Sequence, residues 1–261
     1  MENAIIADLA RALLSGDVKV VDLTAPLGPD TPVKSLPPEI GKSVPSVKIH
    51  KISKYCSDGP KWAWNWLELG EHTGTHFDAP SHWFTGKDHP DNTTDTIAVK
   101  NFVAPACVID RSAESAVDAD YLLTVESIKA WEEEHGEIEA GSWVLLRTGW
   151  CKRGGSAQEF LNSDETGPHY PGPTPEALQY LLSKDIVGWG TDTISTDAPN
   201  GFSMTPPAPA HHLVHAANRY GLASLTNLDQ LPPKGAVIIA APLKIVGGTG
   251  SPVRALALVG A

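Results

Sequence analysis

Cysteine is scarce in this chain and badly placed for cross-linking. Cys56, Cys107 and Cys151 are odd in number, far apart and never arranged as C-x-x-C. That excludes a disulfide framework and leaves three ordinary reduced thiols. Positive charge is also short: 20 Lys and Arg stand against 31 Asp and Glu, a formal charge of -11. A chain this acidic repels phosphates, so nucleic acid is a poor partner. No run of about 18 apolar residues occurs, so no membrane span is expected. The stretch MENAIIADLARALLSG carries Glu2, Asp8 and Arg11 among its apolar positions. It lacks the basic segment and uninterrupted apolar run of a signal peptide, and the cytoplasm is the expected compartment. No G-x-S-x-G is present, which argues against the nucleophile elbow of a serine hydrolase. The Gly-rich stretch GGTGSP, residues 247–252, lacks the lysine of a phosphate-binding loop and reads as a hairpin or loop.

What is present is globular. Hydrophobic residues make up 41% and charged residues 20% of 261, enough for one large core. Residues 4–14 are apolar at helical spacing and stop at Gly16. VKVVDL, residues 18–23, alternates as a strand, and PLGPDTPVKSLPP, residues 26–38, holds too much proline for regular structure. VKIHKI and WAWNWLEL read as strands, the second placing Trp62, Trp64 and Trp66 on one face. APACVID and SWVLLRT are apolar runs of strand length. Between them Thr124 caps a helix that ends before Gly136. Thr174 followed by Pro175 starts another. IVGWGTDT reads as a buried strand running into a polar loop, and PAHHLVHAANRYG as a helix closed by Gly221. LASL, AVIIAAPL and RALALV are further short strands. No repeat or low-complexity linker divides the chain, so residues 1–261 are expected to form a single mixed α/β domain.

The chemistry concentrates in GEHTGTHFDAPSHW, residues 70–83. His72, His76, Asp78 and His82 share parity and would face one side of an ideal strand. Strand residues four apart, however, are separated by about 13 Å, whereas donors on one ion must come within about 3–4 Å of each other. A helix would join His72 to His76 but would leave Asp78 off the face, and Gly74 and Pro80 oppose it. The remaining solution is an extended chain bent sharply at Gly74, where a missing Cβ frees φ. Two imidazoles and a carboxylate suit a divalent ion and leave positions open for water and substrate.

HTGTHFDAPSH resembles the H-x-G-T-H-x-D-x-P-x-H signature of the metal-dependent cyclase-like hydrolases, which include bacterial kynurenine formamidases and isatin hydrolases. VDLTAPLGPDTP, LLRTGW and VGWGTDTISTD resemble further segments of the family, so the likeness runs from about Val21 to Leu228. It implies a three-layer β/β/α swivelling fold with a mixed central sheet, in dimers or tetramers. It implies His72, His76 and Asp78 as metal ligands and His82 as the proton carrier. In the two-zinc formamidases a Glu in an E-N-L stretch helps to hold a second ion. Here the corresponding stretch, GLASLTNL, puts Thr226 at that place, which argues for one ion. The one-metal isatin hydrolases are the better match, with Mn²⁺ expected and Zn²⁺ an alternative. Their site uses a serine near this strand, which points to Ser224 in proton transfer, and the family's distal His falls at His211 or His212.

The expected reaction is therefore opening of the isatin lactam to isatinate by a metal-activated water. His82 would move the proton, and Trp83 and Trp64, with His211 or His212, would hold a planar aromatic substrate. Hydrolysis of N-formylkynurenine is the alternative within the family. A protein that binds an aryl ketoacid without turnover is the alternative of another class, and the presence of His82 speaks against it. His215 is expected to be a packed or surface residue. Asp192 and Asp197 are expected to act as hydrogen-bond acceptors within their loop, or as partners of the His ligands.

Overall fold

The computed structural model describes residues 4–34 and 41–261. The apolar spacing of the first segment gives helix α1 (Ala4–Ser15), which ends at Gly16 and buries none of its residues. Strand β1 (Val18–Asp22) follows. The Pro-rich segment has no regular structure up to Lys34, and residues 35–38 of that stretch lie outside the described residues. A long hairpin, β2 (Lys48–Cys56) and β3 (Gly59–Glu68), projects as a two-stranded ribbon of its own. Trp62, Trp64 and Trp66 alternate along β3, each about half exposed.

The remaining elements are β4 (His76–Asp78), β5 (Val103–Asp110), α2 (Ser112–Val117), β6 (Leu122–Leu123), α3 (Val125–His135), β7 (Trp143–Arg147), α4 (Ala157–Leu161), β8 (Gly172–Pro173), α5 (Pro175–Ser183), β9 (Gly188–Thr191), β10 (Tyr220–Ala223), β11 (Ala236–Ile239), β12 (Gly250–Pro252) and β13 (Leu256–Gly260). Nine of the strands make one mixed sheet in the order β1-β13-β11-β5-β7-β9-β10-β4-β12. β5, β7, β9 and β10 run parallel at its centre, and the flanking pairs are antiparallel. This is the α/β architecture with a large mixed sheet that the sequence implies.

The parallel strands are unbroken apolar runs because both of their faces are covered. In β7, Trp143 and Leu145 pack on one side with Phe77, Tyr220, Leu222 and Ile238. Val144 and Leu146 pack on the other, with Ile128 and Trp131 of α3 and Leu178 and Leu181 of α5. Both helices start as expected: the Thr124 hydroxyl accepts from the Ser127 N–H and the Thr174 hydroxyl from the Ala177 N–H, caps worth about 1 kcal/mol each.

Two expectations need correction. Residues 209–221 do not form one helix closed by Gly221. A π-helical turn (Ala210–Val214) runs to His215, Asn218 takes a left-handed φ of +56°, and Gly221 lies inside β10. GGTGSP is a loop only as far as Thr249, after which Gly250–Pro252 pair with β4 as an edge strand. The three-residue β4 is too short to leave a periodic signal.

Candidate active site

β4 sits between β10 and β12, antiparallel to both, with Asp78 opposite Gly221 on one side and Gly250 on the other. His76 and Asp78, two residues apart, share a face. Gly74 takes φ +61° and turns the chain so that His72 comes back over that face. Both flanking glycines are needed for room. A Cβ at Gly250 would stand 2.5 Å from His72 Cε1, and one at Gly221 would stand 2.8 Å from Asp78 Oδ2.

The hydrogen bonds fix how the donors face. Thr249 donates its hydroxyl proton to Glu71 Oε2 at 2.6 Å, so it accepts from His72 Nε2 at 2.9 Å. His72 Nδ1 then carries a lone pair, and it lies 2.6 Å from Asp78 Oδ1. His76 donates Nδ1–H to the Gly74 carbonyl at 2.8 Å, which leaves a lone pair on Nε2, 3.3 Å from the same Asp78 oxygen. Two lone pairs that each face the same carboxylate oxygen suit a cation, and His₂Asp suits a borderline divalent ion. Burial raises the Asp78 carboxyl, but His76 and His72 outweigh it and hold it well below the usual carboxylate range. Burial likewise pulls His76 down, and Asp78 with the Gly74 carbonyl turns the net shift upward. Both directions say that positive charge is favoured beside Asp78.

His82 ends a short 3₁₀ turn (Pro80–His82) and stacks on His72, with ring centroids 3.6 Å apart. A nitrogen of His82 joins donor atoms of His72 and Asp78 in a group that all lie within 4.8 Å of one another. Burial pushes the His82 pKa down to about 2, helped by its imidazole neighbours and opposed by Asp78, so the ring is neutral. His211 stands 5.3 Å from His82 and 4.8 Å from Trp83, and Trp83 stands 6.3 Å from Phe202. These rings wall a chamber of about 350 Å³ with His72, His76 and Asp78 among its lining. That is room for a small planar ligand.

The Cyclase family model matches residues 21–198. The chain belongs to the cyclase family. Among curated members of this family, isatin hydrolase from Roseibium aggregatum is 63% identical over 254 residues, covering 97% of each chain. Kynurenine formamidase from Salinibacter ruber is 31% identical over 193 residues, 73% of this chain and 77% of that one. A crystal structure of an isatin hydrolase bound to the product analogue thioisatinate superposes with a TM-score of 0.98 at 61% identity over the whole of both chains. Isatin hydrolase A from Ralstonia solanacearum gives 0.96 at 54% identity, covering 98% of this chain and 97% of that one.

Of the two cyclase-family candidates for the distal histidine, the structure places His211 in the chamber and leaves His212 out of its lining. Asp197 selects it: Oδ2 accepts His211 Nδ1–H at 2.6 Å and its backbone N–H at 3.1 Å, while Oδ1 accepts the Ala210 N–H at 2.6 Å. Asp192 instead accepts from the Thr148 and Gly149 N–H groups and the Thr148 hydroxyl, and fixes the turn after β7. His215 is buried, as expected of a packed residue, and its Nδ1 donates to the Arg219 carbonyl.

Trp64 stands apart from these groups, on the exposed face of the hairpin and outside the chamber lining. Ser224 and Thr226 line a second cavity of about 290 Å³, bordered by Gly74 and Cys151. Lys34, Phe202 and Thr249 carry no signal in the sequence: Lys34 and Thr249 sit in irregular segments and Phe202 in a short 3₁₀ turn (Pro199–Ser203), none of them in a motif. Gly250 was equally hidden. Gly250→Ala removes no donor atom, yet its Cβ would clash with the Phe77 carbonyl oxygen of β4 and would meet His72 at 2.5 Å, so the edge strand or His72 must shift and metal affinity should fall about 10- to 100-fold, as for other losses of a ligand's support. Titration of the metal-free variant with Mn²⁺ checks this, and an unchanged affinity would mean that the cradle does not matter.

Proposed function

We propose that this protein is a metal-dependent amidohydrolase that opens the lactam ring of isatin to isatinate. The observation that carries the reading is the convergence of His72, His76 and Asp78 beside neutral His82, in a ring-walled chamber, on a chain 63% identical to isatin hydrolase. His72, His76 and Asp78 would hold one divalent ion, Mn²⁺ ahead of Zn²⁺, which when bound would supply Lewis acidity and an acidified water.

The chain's own residues do the rest. Trp83 and Phe202 hold the bicycle flat and exclude water from its faces. His82 accepts a proton as water oxygen bonds to the lactam carbon. The imidazolium so formed is a strong acid, and it gives the proton to the ring nitrogen as the C–N bond breaks. His211, its Nδ1–H held by Asp197, offers the lone pair of its other ring nitrogen to the lactam N–H. Ser224 is assigned to proton transfer on the far side of Gly74, where the second cavity gives its hydroxyl a route to water. His212 and Trp64 have no part in this scheme.

Residues 1–261 act as one domain, since the central sheet takes its strands from Val18 through Gly260. A homo-oligomer, a dimer or tetramer, is supported by the half-exposed Trp62, Trp64 and Trp66 on a ribbon that pairs with no third strand among the described residues. A cytoplasmic setting is supported by three free thiols.

The test is turnover of a panel, isatin, N-formylkynurenine and simple lactams, with metal content measured on the same sample. One ion per chain and preferred opening of isatin are expected. Preferred cleavage of formylkynurenine with two ions per chain would favour the formamidase reading, and tight binding without ring opening would leave a binding protein.

A further inference from the structure

One chamber is lined by charge of both signs. His72, His76 and Asp78 line it, and so does Lys34, whose ammonium lies 5.8 Å from the Phe202 ring centroid. The ring contacts order the wall between: His72 against His82, His82 against His211, His211 against Trp83, Trp83 against Phe202, and Phe202 under Lys34. Among the described residues Lys34 forms no ion pair. The carboxylate that acts on it is Asp197, whose oxygens are taken by the backbone N–H groups of Ala210 and His211 and by the His211 ring. Burial lowers the Lys34 pKa, and Asp197 only opposes that shift. A partly buried cation that forms no ion pair among the described residues gains by meeting an anion.

We infer that Lys34 selects substrates that carry an anionic group on the aromatic edge remote from the metal ligands, a sulfonate or carboxylate on the benzo ring of an aryl lactam. The inference deepens the proposed function and rests on it for the orientation of the ring: the two carbonyl oxygens turn toward Asp78, so the benzo edge turns toward Phe202 and Lys34. The ammonium then meets the substituent without disturbing the reacting end.

The test compares isatin with isatin-5-sulfonate on the metal-loaded protein, in wild type, Lys34→Met and Lys34→Arg. Two ratios are read, kcat/KM for the two lactams and the dissociation constants of their ring-opened products by calorimetry. Wild type is expected to favour the sulfonate in both. Lys34→Met should lower both ratios about tenfold, the worth of one charged hydrogen bond. Lys34→Arg should keep them within about threefold, since the charge remains. Added salt should erode the wild-type preference and leave that of Lys34→Met unmoved. Equal losses for both compounds in Lys34→Met would mean that the lysine only packs on Phe202, and the inference would fall. Opening of isatin with ratios that ignore Lys34 overturns the inference alone. Absence of ring opening with product ratios that still follow Lys34 overturns the proposed reaction and supports the anion site.

Discussion

Asp78→Ala is expected to leave the chain folded and to strip it of its ion. The carboxylate is the one anion between the lone pairs of His72 Nδ1 and His76 Nε2, at 2.6 and 3.3 Å from them. Without it the two imidazoles present only neutral donors to a cation. A buried charge partner removed in this way costs about 3–5 kcal/mol, so metal affinity should fall about 10²- to 10⁴-fold. Isatin turnover should fall at least as far, because Lewis acidity and the acidified water go with the ion. Folding should survive, since β4 keeps its backbone pairing to both Gly221 and Gly250, and alanine is smaller than aspartate. Asp78→Asn, which keeps the shape and loses the charge, should behave in the same way. Elemental analysis after dialysis against a chelator reads the ion. The rise of the melting temperature on adding Mn²⁺ reads its linkage to folding, and both variants should lose that rise. Full occupancy in Asp78→Ala would remove this aspartate from the ligand set.

The part of this site that was legible in the sequence is the part that is local. His72, Gly74, His76, Asp78 and His82 fall within eleven positions, and the distance of about 13 Å between strand positions four apart is enough to require a bend at Gly74. The φ of +61° there is that bend. The strands legible in advance were apolar runs such as β5 and β7 and alternating segments such as β1 and β3. β4 and β12, three residues each, were not, because so short a segment carries no period, and they are the strands that build the site. Thr249 lies 177 positions from His72. No pattern ties a threonine in a Gly-rich loop to a histidine that far away, and only the pairing of β12 with β4 brings them together. Gly221 shows the opposite failure. A glycine after a helical stretch reads as a stop, yet its missing Cβ makes room for Asp78 Oδ2 in the neighbouring strand. The choice between His211 and His212 was likewise closed to periodicity. It is made by Asp197, which holds one imidazole by its Nδ1 and leaves the other outside.

His82→Ala separates the proton carrier from the ligands. The imidazole lies face to face with His72, and its nitrogen is close enough to His72 and Asp78 that a role as a fourth ligand is sterically open. The two roles differ in what survives the mutation. If His82 moves protons, the variant keeps its ion, because His72, His76 and Asp78 are untouched. Turnover of isatin then falls about 10²- to 10⁴-fold, the range for loss of a positioned acid–base group. The loss should appear in kcat more than in KM, since the imidazole acts as bonds change rather than as the lactam docks. The space left beside His72 also admits a free imidazole, which should restore part of the rate in a saturable way. If His82 were instead a ligand, metal content and rate would fall together and added imidazole would raise both. Measuring metal content, kcat and imidazole rescue on one preparation decides between the two. Retained metal with unimpaired kcat would deny His82 any part in the reaction. The proton would then have to travel by His211, the imidazole nearest to His82 across the chamber wall that has its Nδ1 fixed by a carboxylate.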